Sequence, residues 1–408
     1  MKCRFCTNQL KYVFLDLGKS PPSNAYLTAS QLDEPETSFP LKTCVCEKCF
    51  LVQMDEFAKH DTIFNNEYAY FSSYSKSWLA HAKSYTDLMT NKFDLSTNSQ
   101  IIEIASNDGY LLQFFKEKNI PVLGIEPTAN TAAVAKEKGI ESIIDFFGAS
   151  LAKTLVNKNI QADLLLGNNV LAHVPNINDF VSGMKILLKE NGIITMEFPH
   201  LLKLIEHNQF DTVYHEHYSY LSLIAVKQIF EYHELELFDV EEIPTHGGSL
   251  RIYAKHTNDK TKKTEKNVRL ILNKEVHFGI STISTYQNFQ SKAEKVKSDF
   301  LEFLVTAKNE GKKVIAYGAA AKGNTLLNYS GIKSDLINFV VDASPHKQGK
   351  YMPGSHIPIF SEEKITEYKP DFIVILPWNI ITEIEDQLSY VTEWGAKFVV
   401  AIPEIKIF

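Results

Sequence analysis

Between residues 101 and 197, short apolar segments alternate with stretches of helical composition, and the apolar segments end in acids, amides or glycine. Ile101–Ala105 reads as a strand, Ser106-Asn107-Asp108-Gly109 as a tight loop and Tyr110–Phe115 as the start of a helix. Val122–Ile125 ends at Glu126-Pro127, and a short third strand ends near Asp145-Phe146-Phe147. Asp163–Leu166 runs into Gly167-Asn168-Asn169 and His173, and Ile193–Glu197 closes the series. Strands and helices alternating at this spacing predict an α/β fold around a doubly wound parallel sheet. In such a sheet the ligand sits at the carboxyl ends of the strands.

The residues at those ends select among ligands. Glu103, Asp108 and Glu126 bring negative charge where a phosphate-binding loop would avoid it, and Gly109 allows close backbone approach at a helix start. Glu126 is placed to accept hydrogen bonds from both hydroxyls of a ribose. One glycine with several carboxylates suits a cationic nucleoside without phosphates, and S-adenosylmethionine has the required sulfonium, amino-acid tail and free ribose. The alternative is a dinucleotide, but no Gly-x-Gly-x-x-Gly follows the first strand. Ala105, Ser106, Pro127, Phe146, Phe147, Asn168 and Asn169 complete the expected cofactor site.

All five cysteines lie in the first 49 residues. Cys3/Cys6 and Cys46/Cys49 form two Cys-x-x-Cys pairs, the spacing of zinc-ribbon knuckles, while Cys44 is spare. Four thiolates close the coordination shell, so this metal is expected to support the fold without catalysing. Disulfides are not expected in a reducing compartment. The 408 residues imply two or three domains. No apolar run is long enough for a bilayer, and Met1–Cys6 shows no signal-peptide core, so a cytoplasmic protein without membrane partners is expected. A net charge of −7 argues against non-specific nucleic-acid binding.

Tyr214-His215-Glu216-His217-Tyr218-Ser219-Tyr220 packs two imidazoles, a carboxylate and three phenols into seven residues. Groups that exchange protons near neutral pH are what abstraction from a carbon acid requires; the alternative is a polar turn packed on a sheet edge. On a helix, Tyr214, His217 and Tyr218 would share one face. Leu235–Val240 and Ser249–Tyr253 read as a strand pair joined through Thr245-His246-Gly247-Gly248. Lys255–Asn267 reads as a solvated loop, and Ser284–Lys308 as one long helix. Upstream, Glu67–Tyr74 opens an expected helix whose aromatics suit a core. A second α/β unit follows from Lys313–Tyr317, with later strands at Ile337–Val341, Phe372–Leu376 and Phe398–Ala401. Gly318 and Gly323 have the outer spacing of a P-loop, but Asn324 stands where its lysine belongs. A loop containing Lys322 at a helix start can hold a diphosphate or simply pack tightly.

These stretches, in this order, resemble the S-adenosylmethionine-dependent C-methyltransferases that act on nucleotide-linked 4-keto-deoxysugars. The likeness rests on the two cysteine pairs, Tyr68–Tyr74, Glu103–Leu112, Asn168–His173, Tyr214–Tyr220, His246–Arg251, Gly318–Leu327 and Asp342 with Lys347-Gln348-Gly349. It implies a zinc-binding domain (1–66), a Rossmann-like methyltransferase domain (67–283) and a C-terminal Rossmann-like domain (284–408), acting as a monomer with the sugar nucleotide between domains. It further implies that His217 takes the proton from C3, that Tyr214 and Glu216 orient the sugar, and that His173 and Tyr68 assist. Sugar-nucleotide contacts are expected from Tyr70, His246, Ser249, Arg251, Gly318, Lys322, Asn324, Asp342 and Lys347. Two rival functions stay open: O- or N-methylation of a nucleotide sugar, and binding of such a sugar without catalysis.

Overall fold

The computed structural model describes residues 1–56 and 71–408, so Tyr68 and Tyr70 lie outside the described residues. Strands β1 (Tyr12–Ser20), β2 (Phe39–Val45) and β3 (Val52–Met54) form an antiparallel sheet. Its edge is completed by a strand from far along the chain, β9 (Ser219–Tyr220), with Val52 opposite Tyr220. The last residues of the Tyr214–Tyr220 cluster therefore belong to the sheet of the cysteine-bearing unit.

The central sheet contains β4 (Ile101–Ile104), β5 (Val122–Ile125), β6 (Ser142–Ile143), β7 (Ala162–Asn168), β8 (Leu188–Pro199), β10 (Leu235–Ile243) and β11 (Ser249–His256), in the order β10-β11-β8-β7-β4-β5-β6. All four residues of β4 are buried, as a central strand covered on both faces must be. The chain winds from β4 to β6 in one direction and through β7 and β8 in the other. A cleft therefore opens where β4 and β7 diverge. The late hairpin inserts β11 antiparallel to both β8 and β10, which is the sheet order of class I methyltransferases expected from the strand pattern.

The C-terminal sheet runs β14 (Ile359–Phe360), β13 (Val340–Val341), β12 (Val314–Tyr317), β15 (Phe372–Ile375), β16 (Lys397–Val400), β17 (Lys406–Ile407). It is parallel except for β17. The three sheets do not have three private cores. Phe14, Leu15 and Leu41 of the first sheet share one apolar cluster with Phe289, Phe300, Val314 and Val374, while Cys3, Cys46 and Cys49 join the cluster of the central sheet.

Three local expectations are corrected. The Tyr214–Tyr220 segment is a turn leading into β9, not a helix; the His217 amide donates to the Tyr214 carbonyl at 2.9 Å. The i/i+3 pairing survives because a turn also brings those positions together, but Tyr218 points away, its ring beneath the Arg4 guanidinium. The long helix is two helices, Ile283–Gln287 and Phe289–Asn309. The break at Asn288 lets both Tyr286 and Phe289 pack on Phe14, with ring centroids 5.7 and 4.7 Å away. Lys255–Asn267 is not simply solvated. Lys255 is buried, its ammonium donating to the carbonyls of Asp259 and Lys262 at 2.7 Å each, and a helix (Lys266–Phe278) already begins within the segment.

Candidate active site

A cleft of about 1160 Å³ lies over the carboxyl ends of β4, β5 and β7 and is walled on the far side by the C-terminal unit. At the β4 end, Ala105, Asn107 and Gly109 all adopt positive φ (57°, 48° and 73°), which folds the loop back under the cleft. Glu126 lies across this loop. Its carboxylate accepts from the Asn107 amide at 2.8 Å and the Thr128 amide at 2.9 Å. Those donors hold it facing the cleft, although burial pushes its pKa up. Pro127, the exposed Phe146, and Phe147 packed edge-on against Phe180 continue the same wall. Asn168 is half-buried and lines the cleft, and both of its buried side-chain polar atoms lack a protein partner. Unsatisfied buried amides are costly, so this site suits a ligand with donors and acceptors of its own.

Other members of the expected cofactor set act from behind. Glu103 is fully buried; desolvation, then the charges of Glu126 and Asp108, push its carboxyl well above the usual range, against a hydrogen bond from Tyr110. Asp108 turns away from the cleft to accept from the Ser73 amide at 3.3 Å and to face Lys138 at 3.5 Å. The absent side chain of Gly109 makes room for Ile140, whose Cδ1 would stand 2.6 Å from an added Cβ. That glycine therefore serves core packing rather than close approach to a ligand. Ser106 is buried under Gly124 in the same way.

Opposite the β7 end sits the Tyr214–His217 turn. His217 Nδ1 lies 3.1 Å from the Thr212 carbonyl, which can only accept, so Nδ1 carries the hydrogen and Nε2 is the bare nitrogen. Tyr214 donates its phenol hydrogen to Nε2 at 2.9 Å. The His173 ring stands edge-on to His217 at 4.6 Å. Burial, then the neighbouring His173, hold His217 well below the ordinary imidazole range, and burial holds His173 down to about 4. Both rings are therefore neutral near pH 7. Burial pushes Glu216 up to about 7, with Asn24 donating to its Oε1 at 2.6 Å.

The turn is held from three sides. The Tyr218 amide donates to the Ala172 carbonyl at 2.8 Å, and the Met54 amide donates to the Tyr218 carbonyl at 3.0 Å. Thr325 of the C-terminal unit donates to the Val213 carbonyl at 2.8 Å. His215 is buried on the side away from the cleft, against the first sheet, towards the Phe39 carbonyl at 3.3 Å.

The C-terminal wall presents the start of the helix Ala321–Ser330, with Ala320, Ala321 and Lys322 in the cleft. Lys322 donates to Asn379 at 2.6 Å and lies 4.5 Å above the Trp378 ring; burial pulls it down to about 8, against the attraction of Asp211. Lys347 also lines the cleft and donates to Ala319 and Asp342 at 2.8 and 3.2 Å. Gly318, at φ 85°, packs against Pro377, and Asn324 donates to the Ser23 carbonyl at 2.5 Å, so both support the wall from outside the cleft. His246 lines the cleft, bonded to Asn169 at 2.7 Å. Ser249 and Arg251 do not line it. Ser249 donates to the Thr245 carbonyl at 2.8 Å, and Arg251 is spent on Glu197 at 2.7 Å and Glu241 at 2.9 Å.

Several cleft residues carried no sequence signal that we read. Trp78 and His81 sit one turn apart on the helix Lys76–Lys92, stacked at 4.9 Å, with His81 bonded to Glu197 at 2.8 Å. Their i/i+3 spacing was a usable signal once that helix was placed. Asn24 comes from a turn and Asn379 from the short 3-10 helix Trp378–Ile380, and neither had one.

Below the turn, the thiols of Cys3, Cys6, Cys46 and Cys49 lie within 4.8 Å of one another. Nearest pairs stand at 3.5–3.6 Å, close to the ~3.8 Å edge of a tetrahedron of thiolates around zinc. Thr7 and Phe50, the residues after each pair, both have φ 59°. Their amides return to the Cys3 and Cys46 carbonyls at 3.0 and 2.9 Å, making two matching knuckles. Gln53 donates to Cys3 Sγ at 3.1 Å, the kind of outer-shell support that metal ligands receive. The donor set fits one structural zinc with no open position. Cys44 stays outside it.

Comparison with known proteins agrees with this geometry. Three family descriptions match in series: a zinc binding domain (3–64), a methyltransferase domain (79–240) and a C-methyltransferase C-terminal domain (244–403). The chain is 33% identical over 406 residues to C-methyltransferase NovU of Streptomyces niveus, covering 100% of this chain and 96% of that one. A shorter likeness, 24% over 98 residues, covering 24% of this chain and 40% of the other, links it to the ubiquinone biosynthesis O-methyltransferase of Bartonella quintana (strain Toulouse). Among solved structures, magnesium protoporphyrin IX methyltransferase of Synechocystis with bound S-adenosylmethionine matches 43% of this chain and 78% of its own at 13% identity and a TM-score of 0.34. The PH0226 protein of Pyrococcus horikoshii OT3 matches 46% of this chain and 95% of its own at 12% identity and a TM-score of 0.38. No helix among the described residues is long and apolar enough to cross a membrane. With the full-length identity and the zinc-binding and methyltransferase domains in order, the chain belongs to the S-adenosylmethionine-dependent C-methyltransferase family.

Proposed function

We propose that this enzyme methylates C3 of a nucleotide-linked 4-keto-deoxysugar, with His217 as the base, in a chain organised as units 1–66, 67–283 and 284–408. The observation that carries the reading is the Tyr214–His217 pair: a phenol and a bare imidazole nitrogen 2.9 Å apart, over the carboxyl ends of the sheet. Adjacent groups of this kind match the adjacent atoms of a ketone and its acidic carbon. As substrate enters, Tyr214 transfers its hydrogen bond from Nε2 to the ketone oxygen, where it stabilises the developing oxyanion. Nε2, freed, takes the C3 proton, and the Thr212 carbonyl at Nδ1 supports the imidazolium that results. S-adenosylmethionine supplies an activated methyl group for the enolate carbon. Lys322, Lys347 and the helix start beside them form a cationic wall suited to the diphosphate.

Product analysis tests the reaction type. The methyl carbon should give a C–CH3 NMR signal coupled into the sugar ring. An O–CH3 or N–CH3 signal would overturn the assignment in favour of the rival transfers. Failure to bind S-adenosylhomocysteine in calorimetry would revive the non-catalytic rival.

Glu126 is proposed as the ribose acceptor. Glu126→Ala should weaken S-adenosylmethionine binding by about 1.5–3 kcal/mol, the range for hydrogen bonds to a charged group, and leave sugar-nucleotide affinity unchanged. Titration showing the reverse pattern would exchange the two ligands between the halves of the cleft.

A further inference from the structure

The zinc-binding unit reaches into the cleft at one point. Pro22–Ala25 form a turn closed by the Ala25 amide on the Pro22 carbonyl at 3.1 Å, and Asn24, its third residue, lines the cleft. The turn is fastened at both ends to the C-terminal unit. Asn324 donates to the Ser23 carbonyl at 2.5 Å, Tyr26 donates to the Ala319 carbonyl at 2.5 Å, and Leu27 pairs with Tyr351. Asn24 is thereby held still, with its amide 2.6 Å from Glu216 Oε1. Glu216 is 3% exposed and lines the same cleft. With Oε1 engaged, Oε2 is the acceptor left for a ligand.

We propose that Asn24 is a positioning residue: its hydrogen bond to Oε1 orients Glu216 so that Oε2 accepts a hydrogen bond from a hydroxyl or ammonium group on the sugar ring. This rests on the sugar reading of the site. A lone buried carboxylate is costly, and one charge-assisted hydrogen bond offsets part of that cost. The other titratable groups near Glu216 are Tyr26 of the zinc-binding unit, Tyr214 and His217 of its own turn, His173 after β7, and Lys322 and Lys347 of the C-terminal wall. Of these, the histidines are held neutral, and Lys347 is already engaged by Ala319 and Asp342. The donor in direct contact is Asn24.

The sign is definite. Burial raises the Glu216 carboxyl and the Asn24 hydrogen bond opposes it, leaving it raised to about 7, so losing Asn24 must move its titration to higher pH. With a nucleoside-diphosphate-linked 4-keto-6-deoxyhexose as probe, Asn24→Ala should raise the KM for the sugar about tenfold. The KM for S-adenosylmethionine should hold, kcat should change far less, and the acid limb of kcat/KM should shift upward. In a Glu216→Gln background the same change should cost less than about twofold, because partners in contact are not additive. A full additive penalty, or an unmoved acid limb, would overturn the proposal. Infrared titration of the Glu216 carboxyl, with Glu216→Gln as the blank, separates this from the sugar reading. If the wild type leaves C3 of the probe unexchanged, the sugar reading fails, and the pairing is judged by infrared alone: a raised midpoint in Asn24→Ala supports it, an unchanged midpoint refutes it.

Discussion

His217→Asn is expected to lower turnover by about 10²–10⁴-fold, the usual worth of a positioned general base, while S-adenosylmethionine affinity is retained. Asparagine keeps much of the ring's outline and can still donate towards the Thr212 carbonyl, but it cannot take a proton. The effect should appear most directly in exchange. Substrate incubated in deuterated water with S-adenosylhomocysteine should gain deuterium at C3 with the wild type and not with the variant. His215→Asn is the internal control. Its ring lies against Phe39 at 6.0 Å and faces the first sheet rather than the cleft, so exchange should persist. Should His217→Asn exchange at the wild-type rate, the base is another group, and His173, 4.6 Å away, is next in line. Because burial depresses the His217 pKa, the base is already deprotonated at neutral pH, and its own acid limb must fall below the ordinary value of about 6.5.

Cys46→Ser is expected to abolish stoichiometric zinc and to lower the first thermal transition by about 10 °C or more, since the binding energy of a structural zinc is folding energy. Metal analysis of freshly purified wild type should give one zinc per chain; finding none would refute the site. The loss should not remain local. Arg4, inside the first knuckle, donates to the Pro175 carbonyl at 2.5 Å and lies 5.5 Å above the Tyr218 ring. Strand β3, after the second knuckle, pairs with β9 directly behind His217. Activity should therefore fall together with the folded fraction of the first unit, as circular dichroism and turnover measured over one temperature ramp would show. If the variant lost zinc but kept full turnover and an unchanged melting profile, this coupling would be wrong.

What could be read from the chain was whatever local chemistry expresses within a few residues. The two Cys-x-x-Cys pairs identified the metal ligands because a two-residue gap is itself the knuckle. Ile101, Ile102 and Ile104, interrupted by Glu103, and the apolar segments after them revealed a central parallel sheet, and Glu126 marked the end of the second strand. The Tyr214–His217 spacing of three brought the two groups together whether the segment became a helix or, as it did, a turn.

The tertiary structure decided which way those groups face and who holds them. Gly109 makes room for Ile140, Asp108 faces Ser73 and Lys138, and Arg251 is neutralised by Glu197; each looked like a ligand contact in one dimension. Asn24 meets Glu216 across 192 positions, and Val52 pairs with Tyr220 across a similar span. No local pattern encodes such contacts. They arise because the three sheets bury their apolar faces in shared cores, and that burial, which is non-directional and set by area, brings polar residues from distant segments to a single cleft.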